Sequence, residues 1–204
     1  MATARKTVYD TAAAPVKYVF LDRDGVINVE RGDFTTTIEE WEWTAGAFEG
    51  LRRLTEAGFG IIVVTNQSCI ARGIQTEEGL EVLHRFMVNE AAERGGHIIA
   101  VYHCPHTDDD NCSCRKPKPG MLIQAAEDYG IDLKSVFFIG DARRDMEAGK
   151  SAGVRTLLIE GTKALKNAIS SDTDTIADYT ARDLVEAARI IIEKTSEHGD
   201  PKKT

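Results

Sequence analysis

Short apolar, β-prone runs alternate along this chain with stretches of helical periodicity, and that alternation leaves few folds open. Residues 17–21 (KYVFL) precede a segment in which Phe48, Leu51 and Leu54 recur at helical spacing up to Gly58. Residues 60–65 (GIIVVT) precede "TEEGLEVLHRFMVNEAAERGG", where Thr76 suits an N-cap and Gly95-Gly96 a stop. The pattern continues through "HIIAVYHC", "GMLIQAAEDYG", a strand over 135–140, a helix over 143–152, the strand "VRTLLIE" and a terminal helix over 183–194. Such repetition predicts an α/β fold: a doubly wound, mostly parallel, Rossmann-like sheet with helices on both faces. At 204 residues one domain spanning 1–204 is expected, with an ordered core over about 17–194, an irregular polar stretch at 161–175 and frayed termini.

In folds of this class ligands sit beyond the carboxyl ends of the strands. The first strand delivers Asp22 and Asp24, the second Thr65, Asn66 and Gln67, and the strand over 135–140 delivers Asp141 followed by Asp145. A turn containing Lys116, "CRKPKPG", precedes the helix that begins near Gly120. Asp22, Asp24 and Asp141, with Asp145 close behind, therefore converge with a hydroxyl and a lysine on one edge. Carboxylates crowded at one mouth repel each other, and a hard divalent cation such as Mg²⁺, which prefers oxygen ligands, relieves that repulsion.

Taken in order, "DRDG", "TNQ", "RKPKPG" and "GDARRD" resemble the motifs of the haloacid dehalogenase superfamily of phosphatases, over about residues 17–160. The resemblance implies that Asp22 is the nucleophile and that Asp24 is the general acid and then the base. It further implies Mg²⁺ held by an Asp22 oxygen, the Asp24 main-chain carbonyl and Asp141, with Thr65 and Lys116 on the phosphate oxygens. Asn66 and Gln67 would contact substrate, and Asp145 would orient the lysine or a metal-bound water.

The loop "HCPHTDDDNCSC" places Cys104, His106, Cys112 and Cys114 within eleven residues. Three thiols and an imidazole suit tetrahedral Zn²⁺, and with four protein ligands the ion would be structural. His103 competes with His106 for the imidazole position. Cys-x-Cys is too tight to bridge to itself easily, so a disulfide is the weaker alternative. Cys69 reads as a packed thiol, and Trp41 and Trp43 as packing residues.

This loop, with "DRDGVINVE", "TNQSCIARG" and "CRKPKPGM", narrows the resemblance to the histidinol-phosphate-phosphatase-like branch. That branch implies a heptose 1,7-bisphosphate losing its 7-phosphate in nucleotide-heptose synthesis for lipopolysaccharide, with histidinol phosphate as the alternative substrate. Departures from the branch pattern are Cys69, where Gly is usual, and Ala142, where Lys or Ser is frequent. Lys116 follows Thr65 by 51 positions, already filled by a helix, a strand and the zinc loop, so no separate cap domain fits. Substrate choice then falls to loops, with Arg72 and Arg115 as candidates for a second anionic group, because guanidinium pairs bidentately with phosphate.

The formal charge of −8 and the lack of a basic stripe argue against nucleic-acid binding, and no apolar run reaches a membrane span. "MATARKTVYDTAAAPV" lacks a signal-like apolar core, so the expected setting is the cytoplasm, the expected state a monomer and the expected partner a small sugar phosphate. A catalytically inactive zinc-bearing module is the rival class; the intact set of Asp22, Asp24 and Asp141 favours an enzyme.

Overall fold

The computed structural model describes residues 3–9, 15, 17–160 and 176–197; the stretch expected to be irregular, 161–175, and the C-terminal tail lie outside them. The strands are β1 (Arg5–Val8), β2 (Lys17–Leu21), β3 (Phe59–Asn66), β4 (Ile98–Cys104), β5 (Phe137–Gly140), β6 (Arg155–Ile159) and β7 (Tyr179–Ala181). The helices are α1 (Ala47–Glu56), α2 (Glu77–Glu93), α3 (Gly120–Tyr129), α4 (Arg143–Ala152) and α5 (Leu184–Glu197). They build one sheet in the order β1-β4-β3-β2-β5-β6-β7, parallel throughout except for β1, which runs antiparallel to β4.

Side chains alternate across this sheet, and the two faces carry different helices. Val19, Leu21, Ile61, Val63 and Ile139 pack with Leu51, Leu54, Leu83, Met87 and Leu184 of α1, α2 and α5. Phe20, Ile62, Val64, Tyr102 and Phe138 pack with Met121, Leu122, Ala125 and Ala148 of α3 and α4. Burial on both faces is why β3 reads in the sequence as an unbroken apolar run rather than an alternating one. Thr76 caps α2 as expected, its hydroxyl accepting from the Gly79 N–H at 3.0 Å.

Two strands were not expected, and the strand expected over 135–140 begins two residues late. Residues 5–8 are not frayed: RKTV forms an edge strand whose exposed face carries no apolar periodicity, paired from Arg5 with His103 to Val8 with Ala100. β7 is a three-residue strand set by its register with β6. Residue 135 closes a 3-10 turn, Leu133–Ser135, because the Asp132 carboxylate accepts from Lys134 N–H at 3.1 Å and starts a local turn before β5. Among the described residues no helix is long and apolar enough to cross a membrane.

Candidate active site

Asp22 follows β2 directly, and its N–H donates to Ile139 O of β5 at 2.8 Å, so the acid sits at the centre of the sheet edge. The chain then turns: Ile27 and Asn28 N–H groups both donate to Arg23 O, at 2.8 and 3.1 Å. Gly25 has φ +81°, and a Cβ there would collide with the Asp141 carboxylate. Only glycine combines that left-handed backbone with so close an approach. The turn aims Asp22 and Asp24 at different neighbours although they lie two residues apart.

Lys116 joins the acids. Its Nζ lies 2.8 Å from Asp22 Oδ2 and 2.8 Å from Asp145 Oδ1, and donates to Val64 O at 3.0 Å. Asp145 is pinned from its other side, Oδ2 accepting from the Ala142 N–H at 3.0 Å at the start of α4. Asn66 grips the lysine's backbone, donating to Lys116 O at 3.0 Å and accepting from Lys116 N–H at 3.1 Å. Gln67 is buried and donates to both Asp24 Oδ2, at 2.8 Å, and Thr65 Oγ1, at 2.9 Å. Both side chains expected to meet substrate are thus engaged in holding other site residues.

Burial pushes the Asp22 carboxyl up to about 7, a rise that Lys116 opposes and Asp145 reinforces. Burial, with the charges of Asp22 and Asp145, pushes Asp141 up to about 8. For Lys116 burial favours the neutral amine, but Asp145 and Asp22 outweigh it and hold the ammonium charged. Burial would also raise Asp24; the Arg23 charge and hydrogen bonds from Arg23, Asn28 and Gln67 overcome that and hold it below the usual carboxylate range. Oxygens of Asp22, Asp141 and Asp145 lie within 4.8 Å of one another. An all-oxygen set whose ionised forms are penalised fits a hard divalent cation, and since Asp145 already holds Lys116 and Ala142, Asp22 and Asp141 are the better ligands.

Beside Asp24 and Asn66 opens a cleft of about 250 Å³ whose lining also includes Glu30, Ser68, Arg115 and Arg144. Arg115 is held by Asp108 (Nε to Oδ1, 2.7 Å) and donates to His106 O at 3.2 Å. Arg72 is exposed in the turn after β3 and is not among the residues lining this cleft. Arg144 was not singled out from sequence, though a signal existed: a cation in a helix's first turn opposes the helix dipole. Trp41 and Trp43 pack edge-on with ring centroids 5.3 Å apart, and Cys69 is buried, both as expected.

The cysteine loop gathers as a second centre. Cys104 Sγ lies 3.6 Å from Cys112 Sγ and 3.3 Å from Cys114 Sγ, and Cys112 and Cys114 are 3.5 Å apart. His106 Nδ1 stands 3.5 Å from Cys104 Sγ and 3.4 Å from Cys114 Sγ. Ligands on a tetrahedral zinc would be separated by about 3.8 Å (S to S) and about 3.6 Å (S to N), given its usual bond lengths. The set therefore fits. His103 points elsewhere, its Nε2 3.0 Å from Glu77 Oε2, which settles the imidazole position in favour of His106. A Cβ on Gly120 would strike the Ser113 carbonyl, so the loop lies directly on the start of α3.

A mostly parallel sheet with acids and a buried lysine at its carboxyl edge defines a hydrolase of the haloacid dehalogenase type, and a family model described as HAD-hydrolase-like matches residues 113–187. D-glycero-beta-D-manno-heptose-1,7-bisphosphate 7-phosphatase of Pseudomonas aeruginosa is 42% identical over 148 residues, 72% of this chain and 83% of that protein. The D-glycero-alpha-D-manno-heptose-1,7-bisphosphate 7-phosphatase of Photorhabdus laumondii is 41% identical over 146 residues, 68% of this chain and 79% of that protein. The crystal structure of D,D-heptose 1,7-bisphosphate phosphatase from Bordetella bronchiseptica, complexed with magnesium and phosphate, superposes with TM-score 0.82 at 34% identity, covering 88% of this chain and 99% of that one. The chain belongs to the haloacid dehalogenase superfamily of phosphatases, in the family these heptose-bisphosphate enzymes form.

Proposed function

We propose that this chain removes the 7-phosphate of D-glycero-D-manno-heptose 1,7-bisphosphate, acting through an aspartyl-phosphate on Asp22 and serving nucleotide-heptose synthesis. The observation that carries this reading is the buried Asp22 carboxylate at the end of β2, held 2.8 Å from Lys116 and grouped with Asp141. An Asp22 oxygen attacks phosphorus in line while the bond to the sugar oxygen breaks, and Asp24 delivers a proton to that departing oxygen. Asp24, now ionised, takes a proton from water as the water attacks the acyl phosphate; the Asp22–phosphorus bond breaks and inorganic phosphate leaves. Lys116 and Thr65 neutralise and orient the phosphate oxygens. Arg23, Asn28 and Gln67 favour the ionised, water-activating form of Asp24 at rest, and a phosphate dianion arriving beside it favours the protonated form.

Mg²⁺ would be held by Asp22, Asp141 and the Asp24 main-chain carbonyl, where it cancels the repulsion between carboxylate and phosphate. Zinc at Cys104, His106, Cys112 and Cys114 would brace the loop that leads into Arg115 and Lys116. Metal analysis of the purified protein is expected to give about one zinc per chain. Cys112→Ala is expected to lose the metal and lower Tm, since such sites supply on the order of 10 kcal/mol in isolated zinc peptides. Zinc-free protein with every thiol titratable would refute the assignment.

A bisphosphate needs a second anion site, and Arg115 and Arg144 at the cleft are better placed for it than Arg72. Arg115→Ala is expected to raise KM for the bisphosphate about tenfold or more, as loss of a ~1.5–3 kcal/mol charge-assisted contact requires, with a smaller effect on a monophosphate. Equal effects on the two would assign Arg115 to the loop's structure. Phosphate release measured as kcat/KM on each heptose bisphosphate anomer and on histidinol phosphate tests the substrate. A preference for histidinol phosphate would replace this reading with the alternative.

A further inference from the structure

Arg23 lies between the two acids in sequence but behind them in space, with only 1% of its side chain exposed. Its Nε donates to Asp24 Oδ1 at 3.2 Å, and its Nη2 to Oδ1 and Oδ2 at 2.8 and 3.0 Å. The remaining arm, Nη1, faces Nε2 of His84 at 3.3 Å, on the buried face of α2. A guanidinium has donors only, so His84 must accept through Nε2 and carry its proton on Nδ1. Burial and the adjacent Arg23 charge hold this imidazole well below its ordinary range, in agreement with a neutral acceptor. The Trp41 ring covers Arg23 at 5.8 Å, and the His103 ring stands edge-on to His84 at 5.7 Å.

None of these groups reaches the cleft except Arg23, which does so beside Asp24. A guanidinium plane held only by the carboxylate it grips could rotate about its own axis with that carboxylate. A third anchor on the far side prevents this. We propose that His84 is a positioning residue for the phosphatase reaction: by accepting from Nη1 it fixes the plane of Arg23 and, through it, the direction of the Asp24 carboxylate. The inference rests on the reading of Asp24 as acid and base given above. Asn28, donating to Asp24 Oδ1 at 2.9 Å, and Gln67 hold the same carboxylate from other sides, so losing His84 degrades its aim rather than abolishing it.

The test compares kcat/KM, which reports steps through departure of the leaving group, on the sugar bisphosphate and on an activated aryl phosphate whose oxygen needs no proton. His84→Leu removes the acceptor at similar volume. It is expected to lower kcat/KM on the sugar phosphate about tenfold, a fraction of the ~10²–10⁴ a general acid supplies, and on the aryl phosphate less than about threefold. His84→Gln, which retains an acceptor oxygen, is expected to recover most of the loss. Equal losses on both substrates, no loss, or no rescue by Gln would overturn the proposal. If His84→Leu does not fold, His84→Asn, whose shorter amide falls short of Nη1, takes its place with the same expectations. Asp24→Asn run alongside separates the two levels: if it too shows no leaving-group dependence, the acid–base reading fails and the inference falls with it. Discrimination by Asp24→Asn without discrimination at position 84 refutes the inference alone.

Discussion

Asp22→Asn is expected to bring phosphate release to background while leaving the fold intact. The amide keeps the size of the side chain and can still accept from the Arg23 N–H, which donates to Asp22 Oδ1 at 2.7 Å. Lys116 keeps Asp145 and the Val64 carbonyl as partners, so no buried cation is stranded. What is lost is the anionic oxygen proposed to attack phosphorus, for which an amide is no substitute. The same change should alter how stability of the metal-free protein depends on pH. Carboxyls raised to about 7 and about 8 in the folded chain bind protons more tightly there than in the unfolded chain, so their contribution is present below about pH 4 and lost as pH rises through 7 to 8. Removing one of the two should flatten that decline, and adding Mg²⁺ to the unmutated protein should oppose it. Thermal melts across this range with and without the metal check both points. Near-native turnover by Asp22→Asn would sink the proposed mechanism.

The central strands and the acids at their ends were legible because both leave a local record. A strand buried on two faces is a continuous apolar run, as in GIIVVT, and a carboxylate placed directly after such a run has little reason to be there except at a sheet edge. The Cys/His cluster was legible for a similar reason: four potential metal ligands lie within eleven residues, so donor chemistry and proximity coincide in the chain. Even there the choice between His103 and His106 required the third dimension, because β4 ends by aiming successive side chains to opposite faces, and His103 goes to Glu77.

What escaped is what the packing of separate elements creates. His84 looks like any core-facing position of an amphipathic helix; only the stacking of α2 on the sheet face under the β2 turn brings it to Arg23. Asn66 and Gln67 lie at the sheet edge, Asn66 in the lining of the cleft, but which neighbours such side chains hold depends on what else needs a hydrogen bond. The buried Lys116 backbone and the Asp24 carboxylate claim them. Arg72 and Arg115 are equivalent as sequence, each a lone cation beside a motif. The turn after β3 leaves the former in solvent, whereas Asp108 draws the latter over the cleft. β1 was missed because an edge strand needs no apolar pattern: its register is set by backbone pairing with β4.

Asp24→Asn separates the two chemical tasks proposed for the second acid. The substituted side chain can accept from Arg23 and Asn28 through its amide oxygen, and Gln67 can reverse its own amide to accept from the new NH₂; the Nη2 contact to Oδ2 and the charge partner of the buried Arg23 are lost, so a lowered Tm is expected alongside the kinetic change. The nucleophile and the main-chain carbonyl of residue 24 are untouched. With a sugar leaving group the first step should slow by about 10²–10⁴, the usual contribution of a positioned general acid. An activated aryl phosphate, whose departing oxygen is a weak base, should lose far less in that step, seen as a burst of aryl alcohol in rapid mixing. The second step has no such escape, because water must still lose a proton as it attacks the acyl phosphate. Hydrolysis then becomes limiting with the aryl substrate, and the covalent intermediate should accumulate. Mass spectrometry of acid-quenched Asp24→Asn protein should find one added phosphate on the peptide that carries Asp22, and the double variant Asp22→Asn/Asp24→Asn should show none. Phosphate on a different residue, or equal slowing of aryl and sugar phosphates in the first step, would assign the two acids other roles than those proposed.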